Sequence, residues 1–316
     1  MELDGDSHIT LRRWEGLPSD IVQKILVESD FDDTSGLTSL ISRLHCGAVC
    51  SAWRSILSDP QLWNTLDLST MKSDFIYIHV EPDVYVSEKT DSRLNCILKT
   101  SLSLSRRNIT TLLFNLNLYV PDHLFTYTAE RSPKLKRLVM PVWNRISIAG
   151  IRKAIASWKD LESLTIGNIN SYNYDFLMRQ ISTNCKNFSE LKLIGTCNFF
   201  ASALVRYVPK LKVLSLRCSN LLKEDLIAIL NGLQDLEVLN ISHCVLLNTR
   251  PRTRIILTEL DPFILGKAFR LRRFITCMKS ESCVMCQRAR EDEGIMRWYR
   301  YEEGLWKVDE VDSLAL

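Results

Sequence analysis

The chain contains 316 residues, of which 46% are hydrophobic and 24% are charged, so it can bury a sizeable core and wholesale disorder is excluded. Its net charge of +3 gives no indication of a polyanionic partner such as nucleic acid. No stretch approaches the roughly 20 apolar residues of a membrane helix, and the N-terminus lacks the apolar core of a secretory signal. These features predict a soluble protein of the nucleus or cytoplasm, without a membrane partner, whose ten cysteines are reduced.

The first predicted element is a small all-α unit over residues 12–66. Its first helix begins near Pro18, which suits a first turn, and Asp20 lies at the positive end of the helix dipole. This helix carries an apolar stripe made of Ile21, Val22, Ile25 and Leu26. A second amphipathic stretch covers Leu37–Leu57, and the run Asp59–Trp63 leads into the first strand of a repeat array. We expect this unit to cap that array.

An internal repeat dominates the rest of the chain. The frame apolar-x-x-apolar-x-apolar begins at Trp63, Ile109, Leu135, Leu161, Phe188, Leu211 and Leu236, with a degenerate copy at Leu271. From the copy at 109 to the copy at 236, successive frames begin 26, 26, 27, 23 and 25 residues apart. This period is typical of leucine-rich repeats, in which each unit is a short strand followed by a helix.

The residues between the frames carry apolar side chains at helical spacing. The clearest of these pieces are Ala149–Trp158, Asp175–Cys185, Phe199–Val208 and Lys223–Leu233. The sequence therefore predicts an α/β leucine-rich-repeat solenoid over residues 67–286, because a single unit cannot bury its strand and helix faces alone. Parallel strands would line the concave face, with the helices outside.

Two longer steps interrupt the period. The first has its excess near residues 71–90, which predicts an extended loop, with a partner-binding insertion as the alternative. The second has its excess near Asn248–Glu259 and contains three arginines. We expect a solvated loop there instead of a nucleic-acid patch, because no aromatic stacking residues are interleaved.

The last predicted element is a tail over residues 287–316. It holds four large aromatic side chains, Trp298, Tyr299, Tyr301 and Trp306, which favour burial over exposure to water. We expect the tail to fold as a cap over the last repeat. The alternative is an exposed segment that binds a partner.

Catalytic motifs are absent from the sequence: it has no phosphate-binding glycine loop, no zinc-protease motif and no nucleophile elbow. A possible metal site consists of Cys277, Cys283 and Cys286, but zinc needs four ligands and no fourth follows Cys286. Only a distant residue such as Cys244 or His243 would complete it. We therefore expect ordinary thiols, no metal, no cofactor and no enzymatic activity.

The helical unit resembles a known motif. The matching residues are Leu17-Pro18-x-Asp20-Ile21-Val22-x-x-Ile25-Leu26, then Val49-Cys50-x-x-Trp53-Arg54, then Asp59-Pro60-x-Leu62-Trp63. They resemble the F-box, although the link between its first two helices, around Ser29–Thr38, is longer than usual. With the repeats and the aromatic tail, the chain resembles the plant F-box/LRR-repeat proteins.

The resemblance implies a role in protein recognition. F-box proteins dock on the adaptor subunit of SCF-type cullin–RING ubiquitin ligases, and their second domain captures the protein to be ubiquitinated. Carried over by position, the adaptor-facing residues are Leu17, Pro18, Ile21, Ile25, Leu26, Val49, Trp53 and Trp63. An apolar patch with aromatic anchors suits such an interface. The alternative is that some of them, Trp53 and Val49 above all, pack inside the helical unit.

The target protein would meet strand positions on the concave face. Those expected to be exposed there are Arg137, Val139, Ser163, Thr165, Glu190, Lys192, Val213, Ser215, Val238 and Asn240. Their mixed charges identify no target. A scaffold outside any ligase and a small-molecule co-receptor are the alternative functions, and the shallow arc of seven or eight repeats argues against the second.

Overall fold

A computed structural model describes most of the chain. The described residues are 17–28, 46, 50–71, 76–80, 83–86, 92–115, 118–141, 144–167, 171–195, 200–250, 253–279, 281–291 and 309–315. The strands are β1 (Thr65–Leu68), β2 (Ile76–Val80), β3 (Asp83–Val86), β4 (Thr111–Phe114), β5 (Val120–Pro121), β6 (Arg137–Val139), β7 (Asn144–Arg145), β8 (Ser163–Gly167), β9 (Glu190–Ile194), β10 (Val213–Ser215), β11 (Asn220–Leu222), β12 (Val238–Asn240), β13 (Val245–Arg250), β14 (Thr253–Ile256) and β15 (Arg273–Ile275). The helices are α1 (Ser19–Glu28), α2 (Ser51–Leu57), α3 (Ser92–Leu104), α4 (Asp122–Arg131), α5 (Ile148–Ser157), α6 (Ser171–Asn184), α7 (Ala201–Tyr207), α8 (Lys223–Gly232), α9 (Pro262–Ala268) and α10 (Val284–Glu291). Short 3₁₀ turns cover Pro60–Trp63 and Asp312–Leu314.

The main sheet has eight strands in the order β1-β4-β6-β8-β9-β10-β12-β15. All seven pairings are parallel. The central leucine of each repeat frame pairs with the central leucine of the next, in the order Leu66, Leu112, Leu138, Leu164, Leu191, Leu214 and Leu239. Each of these side chains is at most 1% exposed, so the repeat frame forms a continuous buried column. The predicted parallel sheet is confirmed, and the degenerate copy at Leu271 supplies its last strand.

The helices lie on the other side of that column, and successive helices from α3 to α9 contact one another. Trp158, at the end of α5, shows how neighbouring repeats are joined. Its ring meets Phe125 of α4 edge-on, with 5.3 Å between centroids, and its indole N–H donates to Ser132 Oγ at 3.1 Å. The thiol of Cys185 in turn donates to the Trp158 carbonyl at 3.3 Å. Stability in such an array comes from these contacts between neighbours.

Both predicted loops contain regular structure. Within residues 71–90, β2 and β3 form an antiparallel pair, so the expectation of an extended loop is wrong there. Near Asn248–Glu259, β13 pairs with β14 in antiparallel fashion and with β11 in parallel fashion, which makes a second, three-stranded sheet. The first insertion pairs with itself, and the second pairs both with itself and with β11, which satisfies N–H and C=O groups that a structureless loop would leave to water.

The N-terminal unit shares the core of the repeats. Helices α1 and α2 contact each other, and Val22, Trp53, Leu57 and Trp63 belong to the same buried cluster as the first strands. The second amphipathic stretch is described as a helix only from Ser51 onwards and at position 46, because residues 29–45 and 47–49 lie outside the described part. Among the described helices, none has the length and apolar character needed to span a membrane.

Candidate functional site

The start of α1 presents apolar residues to solvent. The carbonyl of Pro18 accepts the N–H groups of Ile21 and Val22, each at 3.1 Å, which sets the first turn of the helix. Pro18 is exposed and Ile21 is 40% exposed, whereas Leu17 is half-buried and packs against the core. Of the eight predicted adaptor-facing residues, these three therefore form one surface patch. We call Leu17, Pro18 and Ile21 the α1 patch.

Two of the remaining adaptor candidates are buried. Trp63 is 1% exposed and donates its indole N–H to the Leu57 carbonyl, and Trp53 is 7% exposed. Their placement fits the alternative in which these rings support the helical unit from inside. Ile25 and Leu26 belong to α1, but their side chains, like the whole of Val49, fall outside the described part.

The concave face is the side of the eight-stranded sheet that is turned away from the helices. The residues expected to be exposed on it are mostly covered. Those that are buried are Val139, Ser163, Thr165, Lys192, Val213, Ser215, Val238 and Asn240, while Arg137 and Glu190 are half-buried. The expectation of exposure is therefore wrong for eight of the ten. The cover comes in large part from the chain's own C-terminal residues.

These residues, 309–315, are named here the C-terminal segment. Its apolar side chains form a small cluster with strands β10, β12 and β15, whose members are Val311, Leu314, Val213, Val238 and Ile275. Near the end of the segment, the carbonyl of Ala315 accepts a hydrogen bond from the guanidinium of Arg137 at 2.6 Å. The segment therefore lies across the concave face from β15 to β6.

A buried ion pair fixes the segment to the sheet. Glu310 Oε2 lies 3.0 Å from Lys192 Nζ and accepts a hydrogen bond from Ser215 Oγ at 3.0 Å. Its Oε1 accepts from Asn240 Nδ2 at 2.9 Å and from the Val311 N–H at 2.8 Å. The side chains of Lys192 and Glu310 are 1% and 0% exposed. Burial lowers the pKa of Lys192, and the neighbouring Glu310 carboxylate opposes that shift. Sequence reasoning did not identify Glu310.

The described part of the tail contacts two surfaces. Helix α10 buries Ala289 against Leu222, Val245 and Leu247 of the three-stranded sheet, and the C-terminal segment occupies the concave face. This part of the tail therefore covers more than the last repeat, because it contacts both the three-stranded sheet and the concave face. The aromatic residues on which that expectation depended, at positions 298, 299, 301 and 306, lie outside the described residues.

A cluster of ligand-type side chains lies beside this segment. The ligand atoms of His243, Cys277, Cys283 and Cys286 are all within 4.8 Å of one another. The three cysteines are those singled out in the sequence, and the structure supplies the missing fourth residue as His243. Cys244 is not part of the cluster, because its thiol donates to the Leu216 carbonyl at 2.8 Å. The reason for expecting no metal, the lack of a fourth ligand, is thereby removed.

Comparison with known proteins places these features in context. Residues 14–69 match the family model described as F-box-like. The chain is 50% identical over 311 residues to the F-box/LRR-repeat protein At3g48880 of Arabidopsis thaliana, and the match covers 97% of each protein. A second Arabidopsis thaliana protein, At4g11580, whose name also refers to the F-box, is 27% identical over 95% of this chain and 96% of its own length. The F-box protein SKIP1 of the same plant is 24% identical over 80% of this chain and 84% of the relative.

Proposed function

Because this chain belongs to the plant F-box/LRR-repeat family, we propose that it is the substrate-recognition subunit of an SCF-type cullin–RING ubiquitin ligase. In this role the F-box docks on the adaptor, and through it on the cullin, while the repeats bind a target protein. The chain itself performs no catalytic step and acts in the nucleus or cytoplasm.

The α1 patch is the observation that carries the proposal. Isolated apolar side chains on a surface need no explanation, but Pro18 and Ile21 lie side by side within the residues that match the F-box-like model. Helix α1 is held from behind by Val22, which is fully buried, so the patch is presented on a supported element. A partner that covers such a patch gains the free energy of apolar burial, about 25 cal/mol per Å².

The target-binding side of the proposal concerns the concave face. The ten strand positions given above remain our candidates for target recognition, with Arg137 and Glu190 the two that keep partial exposure. The C-terminal segment adds the exposed residues Asp309, Asp312 and Ser313 to that side. A target therefore meets a surface built jointly from the repeats and the end of the chain, unless it displaces the segment.

The test is adaptor binding by the full chain and by a double variant, Leu17→Ala with Pro18→Ala. Losing a central apolar anchor typically costs about 2 kcal/mol, so we expect at least roughly a thirtyfold loss of affinity. Ile148→Ala is the matched control, because Ile148 is 47% exposed on α5, far along the chain from the patch. Affinities are measured with purified adaptor, and circular dichroism checks the fold of each variant.

The outcomes separate the possibilities. Failure of the unmodified chain to bind the adaptor would reject the ligase role and favour a scaffold outside any ligase. Full binding by the double variant would reject the α1 patch as the interface. A variant that loses both binding and its melting transition would show that Leu17 and Pro18 serve the core.

A further inference from the structure

Three separate parts of the chain bring ligand-type side chains to one point. His243 follows β12, Cys277 follows β15, and Cys283 and Cys286 lie at the start of α10. We propose that these four residues bind one Zn²⁺ ion as a structural, tetrahedral site. The ion would join the last two strands of the sheet to the helix that follows them.

The distances between the ligand atoms fit such an ion. Cys286 Sγ lies 3.6 Å from Cys277 Sγ and 3.2 Å from His243 Nδ1, and Cys283 Sγ lies 3.5 Å from the same nitrogen. With Zn–S near 2.3 Å and Zn–N near 2.0–2.1 Å, a tetrahedral site separates two sulfurs by about 3.8 Å, and sulfur from nitrogen by about 3.6 Å. These three distances lie within about 0.4 Å of the tetrahedral values, and the remaining ones are at most 4.8 Å, so shifts of about 1 Å or less would let the four atoms receive the ion.

The local structure of α10 prepares two of the ligands. Cys283 directly precedes the helix and Cys286 lies in its first turn, so a Cys-x-x-Cys pair points both sulfurs to one side. The sulfur of Cys283 accepts hydrogen bonds from the backbone N–H groups of Met285 and Cys286, so it lies directly at the start of the helix. A thiol at a helix N-terminus is easily converted to the thiolate that a metal binds.

The backbone at His243 orients its imidazole ring toward the thiols. Its backbone has φ of 59°, in the left-handed region, and its N–H donates to the Cys277 carbonyl at 2.8 Å. This conformation holds the ring inside, with the side chain 1% exposed, and turns Nδ1 toward the thiols. Cys218, at the corresponding position one repeat earlier, has the same conformation, so the conformation belongs to the repeat turn, and it is the placement of the His243 ring beside the thiols that supports the site.

Asp309 supplies an outer contact that metal-bound histidines commonly have. Its Oδ2 lies 3.2 Å from His243 Nε2, on the opposite side of the ring from the thiols. When Nε2–H donates a hydrogen bond to the carboxylate, the ring carries its proton on Nε2 and the lone pair of Nδ1 is free for a metal. Asp309 belongs to the C-terminal segment, so the proposed ion would also help to hold that segment against the concave face.

The chemistry of the four ligands selects the metal. Three thiolate sulfurs and one imidazole nitrogen form a ligand set that suits Zn²⁺, whereas Mg²⁺ and Ca²⁺ require oxygen ligands. The described cysteines are all free thiols, and the 3.6 Å between Cys277 and Cys286 is far longer than the roughly 2.05 Å of a disulfide. Cys185 and Cys244 lie outside the cluster, and their thiols donate to the backbone carbonyls of Trp158 and Leu216.

The first experiment measures metal content. The full chain, without a polyhistidine tag, is purified under reducing conditions with no added metal and analysed by inductively coupled plasma mass spectrometry. We expect one zinc per chain. Cys286→Ser and His243→Asn should reduce it to a small fraction, and asparagine is chosen because it tolerates the left-handed backbone. Cys96→Ser, at an exposed cysteine outside the cluster, is the control and should keep the full zinc content.

A second measurement needs no variant. Zinc is removed with a chelator and Co²⁺ is added, which should produce the intense visible bands of tetrahedral cobalt bound to thiolates. Because metal binding contributes directly to folding, removal should also lower the melting temperature, and Zn²⁺ but not Mg²⁺ should restore it. An unmodified chain that is folded but holds no zinc and gives no cobalt–thiolate bands would overturn the proposal. So would unchanged zinc in both ligand variants.

Discussion

The α1 patch and the concave face are both predicted as binding surfaces, yet the first is exposed in the structure and the second is largely covered. At the patch, apolar residues stay in water, with Ile21 40% exposed. On the concave face, the charged side chain of Lys192 is 1% exposed, because the chain's own Glu310 lies over it. The described residues therefore leave the α1 patch to solvent, whereas the chain's own C-terminal segment covers much of the concave face.

This difference matters for how each surface binds. In the docking that we propose for the α1 patch, the apolar surface of Pro18 and Ile21 is already exposed, so its burial contributes to affinity without first uncovering it. A target that reached Lys192, Ser215 or Asn240 would first have to displace the C-terminal segment. It would also have to supply a carboxylate in place of Glu310, since an unpaired charge in that position is strongly unfavourable. Recognition at the concave face is therefore the more demanding of the two events.

The largest effect on stability is expected at Trp63, a buried adaptor candidate of the F-box region. Trp63→Ala should lower the free energy of unfolding by about 3–5 kcal/mol, because it removes a buried ring and leaves the Leu57 carbonyl without its indole donor. The measurement is chemical denaturation followed by tryptophan fluorescence and circular dichroism. A stable variant with weakened adaptor binding would show instead that Trp63 acts at the interface.

The next effect tests the internal partner of the concave face. Glu310→Ala leaves Lys192 buried without its carboxylate, and breaking such a pair from one side costs about 3 kcal/mol or more. We expect a lower free energy of unfolding and faster proteolysis of the C-terminal residues. The matched control is the double variant Lys192→Met with Glu310→Leu, which removes both charges and should recover much of the loss. Equal instability in the single and double variants would contradict this account.

The sequence predicted the repeat architecture well, for a physical reason. From residue 109 to residue 236 the strand frames recur every 23–27 residues, because each repeat must place a leucine in the same buried column. This requirement leaves a regular spacing that can be read directly from the sequence. The two hairpins were missed since neither insertion follows the repeat period. The buried partner of Lys192 was missed because it lies 118 positions further along the chain, in a short run with no periodic signal.

The candidate sites were predictable to different degrees. The F-box motif is a contiguous pattern, so its residues were identified, but which of them face outward depends on packing that the motif does not contain. The cysteine cluster was found except for its fourth member. His243 was only one of two distant options, and the choice between it and Cys244 depends on the turn after β12, where His243 has a positive φ.

A smaller effect is expected within the α1 patch. Ile21→Ala removes part of an exposed apolar surface, so it should leave the melting temperature unchanged and weaken adaptor binding by about 1 kcal/mol, roughly fivefold. Isothermal titration with purified adaptor measures the change. Ile148→Ala again serves as the control. A drop in melting temperature with unchanged affinity would place Ile21 in the core instead of the interface.

The smallest effect is expected at an exposed Lys–Glu pair, which can be compared with the buried pair of the concave face. Lys136 Nζ lies 2.9 Å from Glu162 Oε1, much like Lys192 and Glu310, but the side chains are 54% and 40% exposed. The nearby carboxylate raises the pKa of Lys136, yet water and salt screen an exposed pair so that it adds little to stability. Lys136→Met should therefore leave the midpoint of denaturation unchanged. Lys192→Met should lower that midpoint, because it leaves the buried Glu310 carboxylate without its positive partner. The two variants make the same chemical change at nearly the same ion-pair distance, so a difference between them reflects the burial of Lys192 and the contacts that burial allows, such as its hydrogen bond to the Leu314 carbonyl at 3.3 Å. If both shifted the midpoint equally, the segment would not shield Lys192 from water in solution, and the concave face would be as open as the α1 patch.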